Sequence, residues 1–521
     1  MTGGAVGADQ TVVETAAGRI RGEAAGDLLV WRGIRYAEAP AGALRFRPPQ
    51  PVRPWSGVRA AIEPGPVAWQ SDLLPIAGAR QTLQRSEDCL LVNVTRPVAP
   101  PPGPRGYPVL VWIHGGGYSA GSGADEITGD GAVLARHGLV VVTFNYRLGS
   151  LGFLHLADVA GGGFETAGQA GFLDQVAALR WVRENISGFG GDPGRVTVHG
   201  VSAGAKSIAS LLASPLAAGL LTRAISASGG AEHLATPQQG ARLRRRLLGE
   251  LGLPDDEAGV RRLPDVPAAE LILAQDAIAS GGRGTWVWRP VLGSPGIPVL
   301  PIEAITAGAG AGVPMLIGHN GNEGATYQLM DPSAAEQAPR VLTEAFGAAK
   351  ADAMLAAYAA VRPELDETGI RVAVLGDERY GVPTHRLALA QAAHAPVWRY
   401  RYDTRPPGYP PEWDGGHGLD SIAVWRDDDF VRAALSGRAQ AQARLGLAMA
   451  AAFARFARGA EPSPGEAGDP LPRWEPFDAA GGVTLILDDA PHAERHPRAA
   501  EFAIWGDAAW PSGTWWPVSG L

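Results

Sequence analysis

The 521-residue chain has a single cysteine, Cys89, so no internal disulfide can staple it. Cysteine this scarce fits a reducing compartment, and no His/Cys spacing of the zinc-binding kind occurs, so neither a metal site nor a cofactor is expected. Lysine is nearly absent as well: Lys206 and Lys350 are the only two, and arginine carries the remaining positive charge. The formal net charge of −8 disfavours nucleic acid and anionic membrane surfaces as partners. Arg244-Arg245-Arg246, flanked by Leu243, Leu247 and Leu248, reads as a solvated helix face and not as a basic patch. No run of about 18 apolar residues is present, so no membrane span is expected. The opening Met1-Thr2-Gly3-Gly4-Ala5-Val6-Gly7 has neither a basic n-region nor an apolar h-region. A cytoplasmic location is therefore expected.

What the chain does have is apolar material, 46% of its residues, punctuated by 70 glycines and 43 prolines with no repeat or low-complexity block. The feature that organises it is Gly200-Val201-Ser202-Ala203-Gly204, directly after the apolar run Arg195-Val196-Thr197-Val198. A strand running into GxSxG and then into a helical pattern is the nucleophile elbow of an α/β-hydrolase. The backbone must turn sharply at Ser202, and only small neighbours let strand and helix approach so closely. Upstream, Pro108-Val109-Leu110-Val111-Trp112-Ile113 reads as a buried strand ending in His114-Gly115-Gly116-Gly117-Tyr118. This is the HGGG arrangement that offers backbone N–H groups to a developing oxyanion.

A serine nucleophile needs a base, and the base needs an acid, in the chain order Ser, Asp or Glu, His. His417 lies in the glycine-flanked loop Asp414-Gly415-Gly416-His417-Gly418-Leu419-Asp420, where an imidazole can reach across a site. His385 and His394 fall in an Ala-rich helical stretch, as surface or packing residues, and His492 and His496 in a charged, solvated tail. The acid is best placed at Glu323, in the loop after the strand Val313-Pro314-Met315-Leu316-Ile317-Gly318. Catalytic groups of open α/β sheets gather at such carboxyl ends. Spacing alone leaves a solvated glutamate open at this position, and Asp414 and Asp420 are rival acids beside His417.

Short strands at 11–15, 19–23, 28–32 and 90–95 are expected to pair antiparallel at one sheet edge. Strands at 140–144, 224–228, 315–318, 397–402 and 483–487 alternate with helices such as 174–185, where Val176, Leu179, Trp181 and Val182 face inward. A further helix is expected over roughly 438–458. The alternation predicts an α/β fold with a large, mostly parallel sheet covered by helices. Because the catalytic candidates run from Gly116 to His417 and need one framework, residues 1–521 are read as a single domain with helix-rich insertions at roughly 234–389.

Across residues 12–505 the chain resembles the type-B carboxylesterases, the cholinesterase-like and para-nitrobenzyl-esterase-like branch of the α/β-hydrolases. The landmarks are Arg32-Gly33-Ile34-Arg35-Tyr36-Ala37, Leu44-Arg45-Phe46-Arg47-Pro48-Pro49, Ser86-Glu87-Asp88-Cys89, HGGG, Asn145-Tyr146-Arg147-Leu148-Gly149, Gly171-Phe172-Leu173-Asp174-Gln175 and Phe189-Gly190-Gly191-Asp192-Pro193. The elbow, Asn322-Glu323-Gly324 and His417-Gly418 complete the set in order. The resemblance implies helical insertions over the active site, a triad of Ser202, Glu323 and His417, and oxyanion donors at the amides of Gly116, Gly117 and Ala203. Tyr118, Val201, Trp286 and Trp288 are pocket candidates, though both tryptophans could equally pack under a loop.

Three departures bear on the substrate. Val201 stands where the family usually carries Glu, which removes a negative charge; Cys89 has no partner for the disulfide of the cholinesterase type; and residues 70–85 hold no aromatic side chain to stack on a quaternary ammonium. The expected activity is that of a serine carboxylesterase hydrolysing neutral, partly apolar carboxylic esters through an acyl-enzyme. Its partner is a small-molecule ester, and its assembly a monomer or homodimer. The rival from another class, a cholinesterase-like adhesion domain, typically lacks the serine that is present here.

Overall fold

In the computed structural model, residues 8–71, 84–125, 130–279, 287–426, 437–464, 470–480 and 482–507 are described. The strands are β1 (Val12–Thr15), β2 (Gly18–Arg21), β3 (Glu23–Ala25), β4 (Leu28–Arg35), β5 (Val58–Ala60), β6 (Leu91–Pro97), β7 (Tyr107–Ile113), β8 (Val140–Phe144), β9 (Gly191–Val201), β10 (Arg223–Ala227), β11 (Met315–Asn320), β12 (Val397–Tyr402), β13 (Val483–Leu487) and β14 (His492–Arg495). Eleven of them form one sheet in the order β14-β13-β12-β11-β10-β9-β7-β8-β6-β4-β3. The strands from β8 to β13 pair parallel. Antiparallel pairs close both edges.

The central strands are apolar at nearly every position because both of their faces are covered. Along β7, Val109, Val111 and Ile113 enter one core, while Leu110 and Trp112 enter the other. Strand alternation thus divides a continuous apolar run between two layers. The first layer includes the helices Ala170–Asn185 and Ala203–Ala213. The second is built on Gly437–Ala457, whose Leu445, Met449, Phe453 and Phe456 pack beneath Trp398 and Tyr400 of β12. This is the expected helix-covered sheet.

One expectation is corrected. β1 and β2 do not join the edge of the main sheet; they form a separate three-stranded sheet with β5, a strand that had no sequence signal of its own. The chain leaves that sheet at Gly22, whose N–H donates to Thr11 O at 2.9 Å, and β3 then pairs with β4 in the main sheet. The outermost strand at the other edge, β14, is exposed at all four positions and carries His492, Glu494 and Arg495, charged and polar cover suited to an unpaired edge. Between 234 and 389 the described regular elements are helices apart from β11 and isolated bridges such as Ala235 to Val291.

Several sequence landmarks turn out to be one another's partners. The guanidinium of Arg45 grips Glu87 with two bonds of 2.6 Å. Arg147 and Asp174 form a buried pair, Nε and Nη2 each donating at 2.7 Å, which clamps the loop after β8 to the helix Ala170–Asn185. That clamped loop also supports the glycine turn. Tyr146 donates to His114 O at 3.1 Å and stacks on the His114 ring at 4.4 Å, and Gly149 N–H donates to Tyr118 O at 2.8 Å.

Candidate active site

The carboxyl ends of β7, β9, β10 and β11 meet around Ser202. At the end of β9 the chain reverses, and Ser202 takes φ 56 and ψ −119 before the helix Ala203–Ala213 begins. A non-glycine residue in that region is strained, and it persists only where its surroundings hold it. Close packing holds this one. A Cβ at Gly204 would stand 2.1 Å from Ile113 O, and one at Gly200 would stand 2.6 Å from the Gly204 carbonyl carbon. Only glycine lets strand, helix and the end of β7 converge here.

The glycine turn after β7 lies directly against the elbow: a Cβ on Gly115 would be 3.3 Å from Ser202 Cβ. Gly116 and Gly117 have φ 103 and 61, and the turn closes through Ser119 and Ala120 N–H, each donating to Gly116 O at 3.0 Å. Among the described residues, the amides of Gly116 and Gly117 donate to no acceptor. The Ala203 N–H opens its helix and has no intrahelical acceptor. The three expected oxyanion donors therefore lie in one neighbourhood with their hydrogens uncommitted.

On the other side the expected acid and base are joined. His417 Nδ1 lies 2.5 Å from Glu323 Oε2. The second oxygen, Oε1, accepts from Ser228 Oγ at 2.6 Å and from Asn320 N at 2.7 Å. Glu323 is 3% exposed, so the solvated reading does not apply. The loop bearing His417 is pinned to the Glu323 loop by Asn322 N–H donating to Gly415 O at 2.8 Å. A chain of backbone bonds links this flank to the elbow, with Ser202 N–H on Ala227 O at 2.9 Å and Ser228 N–H on Gly318 O at 2.8 Å. No hydrogen bond joins Ser202 Oγ to His417 among the described residues. Catalytic contacts of this kind commonly tighten only when substrate is bound.

Of the rival acids, Asp414 pairs with Arg405 and Arg438. Asp420 is buried and accepts from Tyr400 Oη at 2.6 Å and from Asn320 Nδ2 at 3.2 Å. Burial pushes its pKa up, and the nearby Glu323 charge pushes the same way. Asp420 thus supports Asn320, which in turn donates to Ser228 at 3.2 Å.

Several contacts had no sequence signal. The His417 ring stacks on Tyr380 at 4.1 Å and lies 5.5 Å from the Tyr327 ring, and the two tyrosine hydroxyls are hydrogen-bonded to each other. Tyr380 sits in the π-helical turn Asp377–Gly381, a wide turn often found at functional sites. Beyond it Lys206 is buried, donating to Gly229 O at 2.7 Å and Arg379 O at 3.0 Å, with His233 Nδ1 at 3.0 Å. Burial pushes the Lys206 pKa well below the usual lysine range, and the Arg379 charge adds to this. Among the pocket candidates, Val201 is half-buried and Trp288 is packed in the core. Tyr118 is 1% exposed, with its ring against Phe153 at 5.1 Å and its hydroxyl accepting from Ser207 at 3.3 Å. Trp286 lies outside the described residues.

The model of the carboxylesterase family matches residues 9–505. The chain belongs to that family. Its relatives include the para-nitrobenzyl esterase of Bacillus subtilis (strain 168), 36% identical over 94% of this chain and 97% of its own length. Human carboxylesterase 3 is 32% identical over 96% of this chain and 90% of its own. Among solved structures, a Geobacillus stearothermophilus carboxylesterase superposes with a TM-score of 0.82 at 33% identity, covering 95% of this chain and 100% of that one. A para-nitrobenzyl esterase structure superposes at 0.80, again at 33% identity, with 96% and 100% covered. This carboxylesterase is accordingly a carboxylic ester hydrolase on an α/β-hydrolase fold. No described helix is long and apolar enough to cross a membrane.

Proposed function

We propose that this carboxylesterase hydrolyses neutral, partly apolar esters with Ser202 as nucleophile, His417 as general base and then acid, and Glu323 as the carboxylate that orients the imidazole. The observation that carries the proposal is the strained Ser202, set between uncommitted amides on one flank and the closed His417–Glu323 pair on the other. In the first step His417 Nε2 takes the proton from Ser202 Oγ as the oxygen attacks the ester carbonyl. The N–H groups of Gly116, Gly117 and Ala203 receive the oxyanion. His417 then returns the proton to the leaving alkoxide, and water activated by the same nitrogen releases the acid. Glu323 fixes Nδ1 as the protonated nitrogen and stabilises the imidazolium that forms in each step.

Esters are favoured over amides because an alkoxide leaves more readily than an amine. The side chain immediately before the nucleophile, Val201, adds no negative charge for a cationic alcohol group, which supports the preference for neutral substrates. The lone Cys89 is buried and free, and with no disulfide to preserve, a reducing, cytoplasmic setting fits the chain. The test is hydrolysis of 4-nitrophenyl esters across an acyl-chain series, with matched thioester and anilide substrates. Labelling by a fluorophosphonate that is abolished in Ser202→Ala is the expected companion result. Undiminished turnover or labelling in that variant would overturn the assignment.

A further inference from the structure

Among the described residues, several buried or half-buried arginines have a carboxylate: Arg147 has Asp174, Arg45 has Glu87, Arg244 has Asp255, and Arg498 has Asp377. Arg399 does not. It projects from β12 between the helices Val382–Ala392 and Ala499–Trp505, is 2% exposed, and among the described residues has no carboxylate within ion-pair distance. Its Nη1 lies 2.8 Å from His385 Nδ1, while Nε and Nη2 make no hydrogen bond among the described residues. His385 supplies no countercharge: burial, aided by the Arg399 charge, pushes its pKa down to about 3, and its neutral ring stacks on Phe502 at 4.5 Å. The neighbouring charges raise the demand for an anion, because Arg401 and Arg498 both act on Arg399 and the nearby Asp377 is already held by Arg498.

A buried guanidinium left without an anion is costly. Beside this one opens a cavity of about 280 Å³. Its walls include Phe477 and Phe502, whose rings lie 5.5 and 5.4 Å from the Arg399 guanidinium carbon. At its margin stand exposed His496 and Asp507 and half-buried Arg386, which is engaged by Glu232 at 2.9 Å. None of these residues belongs to the catalytic candidates.

We infer that this cavity is a second binding site, taking a small organic monocarboxylate with its carboxylate on Arg399 and its apolar body against Phe477 and Phe502. A planar guanidinium fork matches a carboxylate. The apolar walls and the carboxylate of Asp507 at the margin disfavour a hydrated dianion such as phosphate.

The test uses crystals and solutions of the full chain with 4-iodobenzoate, with iodobenzene and inorganic phosphate as comparison probes. The expected result is an anomalous iodine peak between Phe477 and Phe502, and a melting temperature that rises with 4-iodobenzoate concentration. Arg399→Leu should weaken binding by about tenfold or more and leave ester hydrolysis unchanged. Should that variant not fold, Ala503→Trp, which narrows the cavity from its exposed rim, should abolish the iodine peak instead. An iodine peak only in the catalytic cleft, or none at saturating concentration, would overturn the inference. So would equal binding of iodobenzene, or binding of phosphate alone.

Discussion

The two flanks of Ser202 treat their polar groups in opposite ways. On the acid flank each carboxylate oxygen of Glu323 has its donors, and the network continues through Ser228 and Asn320 to Asp420 and Tyr400. On the glycine flank the amides of Gly116 and Gly117 have no acceptor among the described residues, and the opening amide of the helix at Ala203 is equally uncommitted. A satisfied network is rigid and keeps its geometry through a reaction. Uncommitted donors at a strained turn mark where a ligand's oxygen belongs. Hydrogen-bond satisfaction therefore separates the scaffold of the site from its receptor.

The largest loss is expected at Ser202 itself. Ser202→Ala should lower turnover of a 4-nitrophenyl ester by about 10⁴–10⁶-fold while the circular dichroism spectrum stays unchanged. On the acid flank, Glu323→Gln should cost on the order of 10³–10⁴ in kcat, since a neutral amide no longer stabilises the imidazolium and presents one oxygen where three donors now converge. A loss of less than tenfold would mean that Glu323 does not orient the base.

The glycine flank should respond next. Gly117→Ala keeps its N–H but strains the left-handed turn that aims it, at φ 61, and should reduce kcat by roughly 10²–10³ with KM changed far less, because the displaced amide is the one proposed to serve the oxyanion and not the ground-state carbonyl. Gly204→Ala is the informative contrast. Its Cβ would sit 2.1 Å from Ile113 O, so the expected outcome is loss of soluble folded protein and not a selective kinetic defect. If both variants fold and show the same kinetics, the distinction between receptor and scaffold glycines is wrong. Ser228→Ala should be milder. It removes one of the three donors to Glu323 and one of the two acceptors of Asn320 Nδ2, so a loss of about tenfold in kcat is expected.

How much of this was legible in the sequence follows the same division. The glycine flank is local: GxSxG and HGGG are contiguous, and their strain and close approaches follow from residue type at fixed spacing. Most parallel strands were legible too, because a strand covered on both faces is apolar at nearly every position, as β8 and β13 are. The acid flank is assembled from three distant loops. Glu323 and His417 could be placed through chain order, but Ser228, Tyr380 and the supporting role of Asp420 depend on which loops meet in space. The landmark pairs Arg45–Glu87 and Arg147–Asp174 teach the same lesson, since each motif was visible alone and its partner was not. β5 escaped for a simpler reason: three exposed residues, Val58–Ala60, carry no alternation to read.

Away from the site, a third polar group is unsatisfied with no ligand to receive. His199 on β9 is fully buried among Trp112, Trp425 and Phe453, and neither ring nitrogen has a hydrogen bond among the described residues. Here an unsatisfied polar group faces apolar rings, where no substrate reaches. Burial pushes its pKa down to about 3, against about 6.5 in the unfolded chain. Between those values the unfolded state binds a proton that the folded state refuses, so stability is complete above pH 6.5 and falls as the solution is acidified toward pH 3. The limiting contribution is about 1.4 kcal/mol per pH unit. His199→Phe keeps the ring stack and removes both the orphan nitrogens and the titration. Urea midpoints measured at pH 7 and pH 4.5 should then lie closer together in the variant than in the parent, with the variant at least as stable at pH 7. An unchanged spacing would mean that His199 finds a partner or a proton in the folded state, and that its buried nitrogens are satisfied after all.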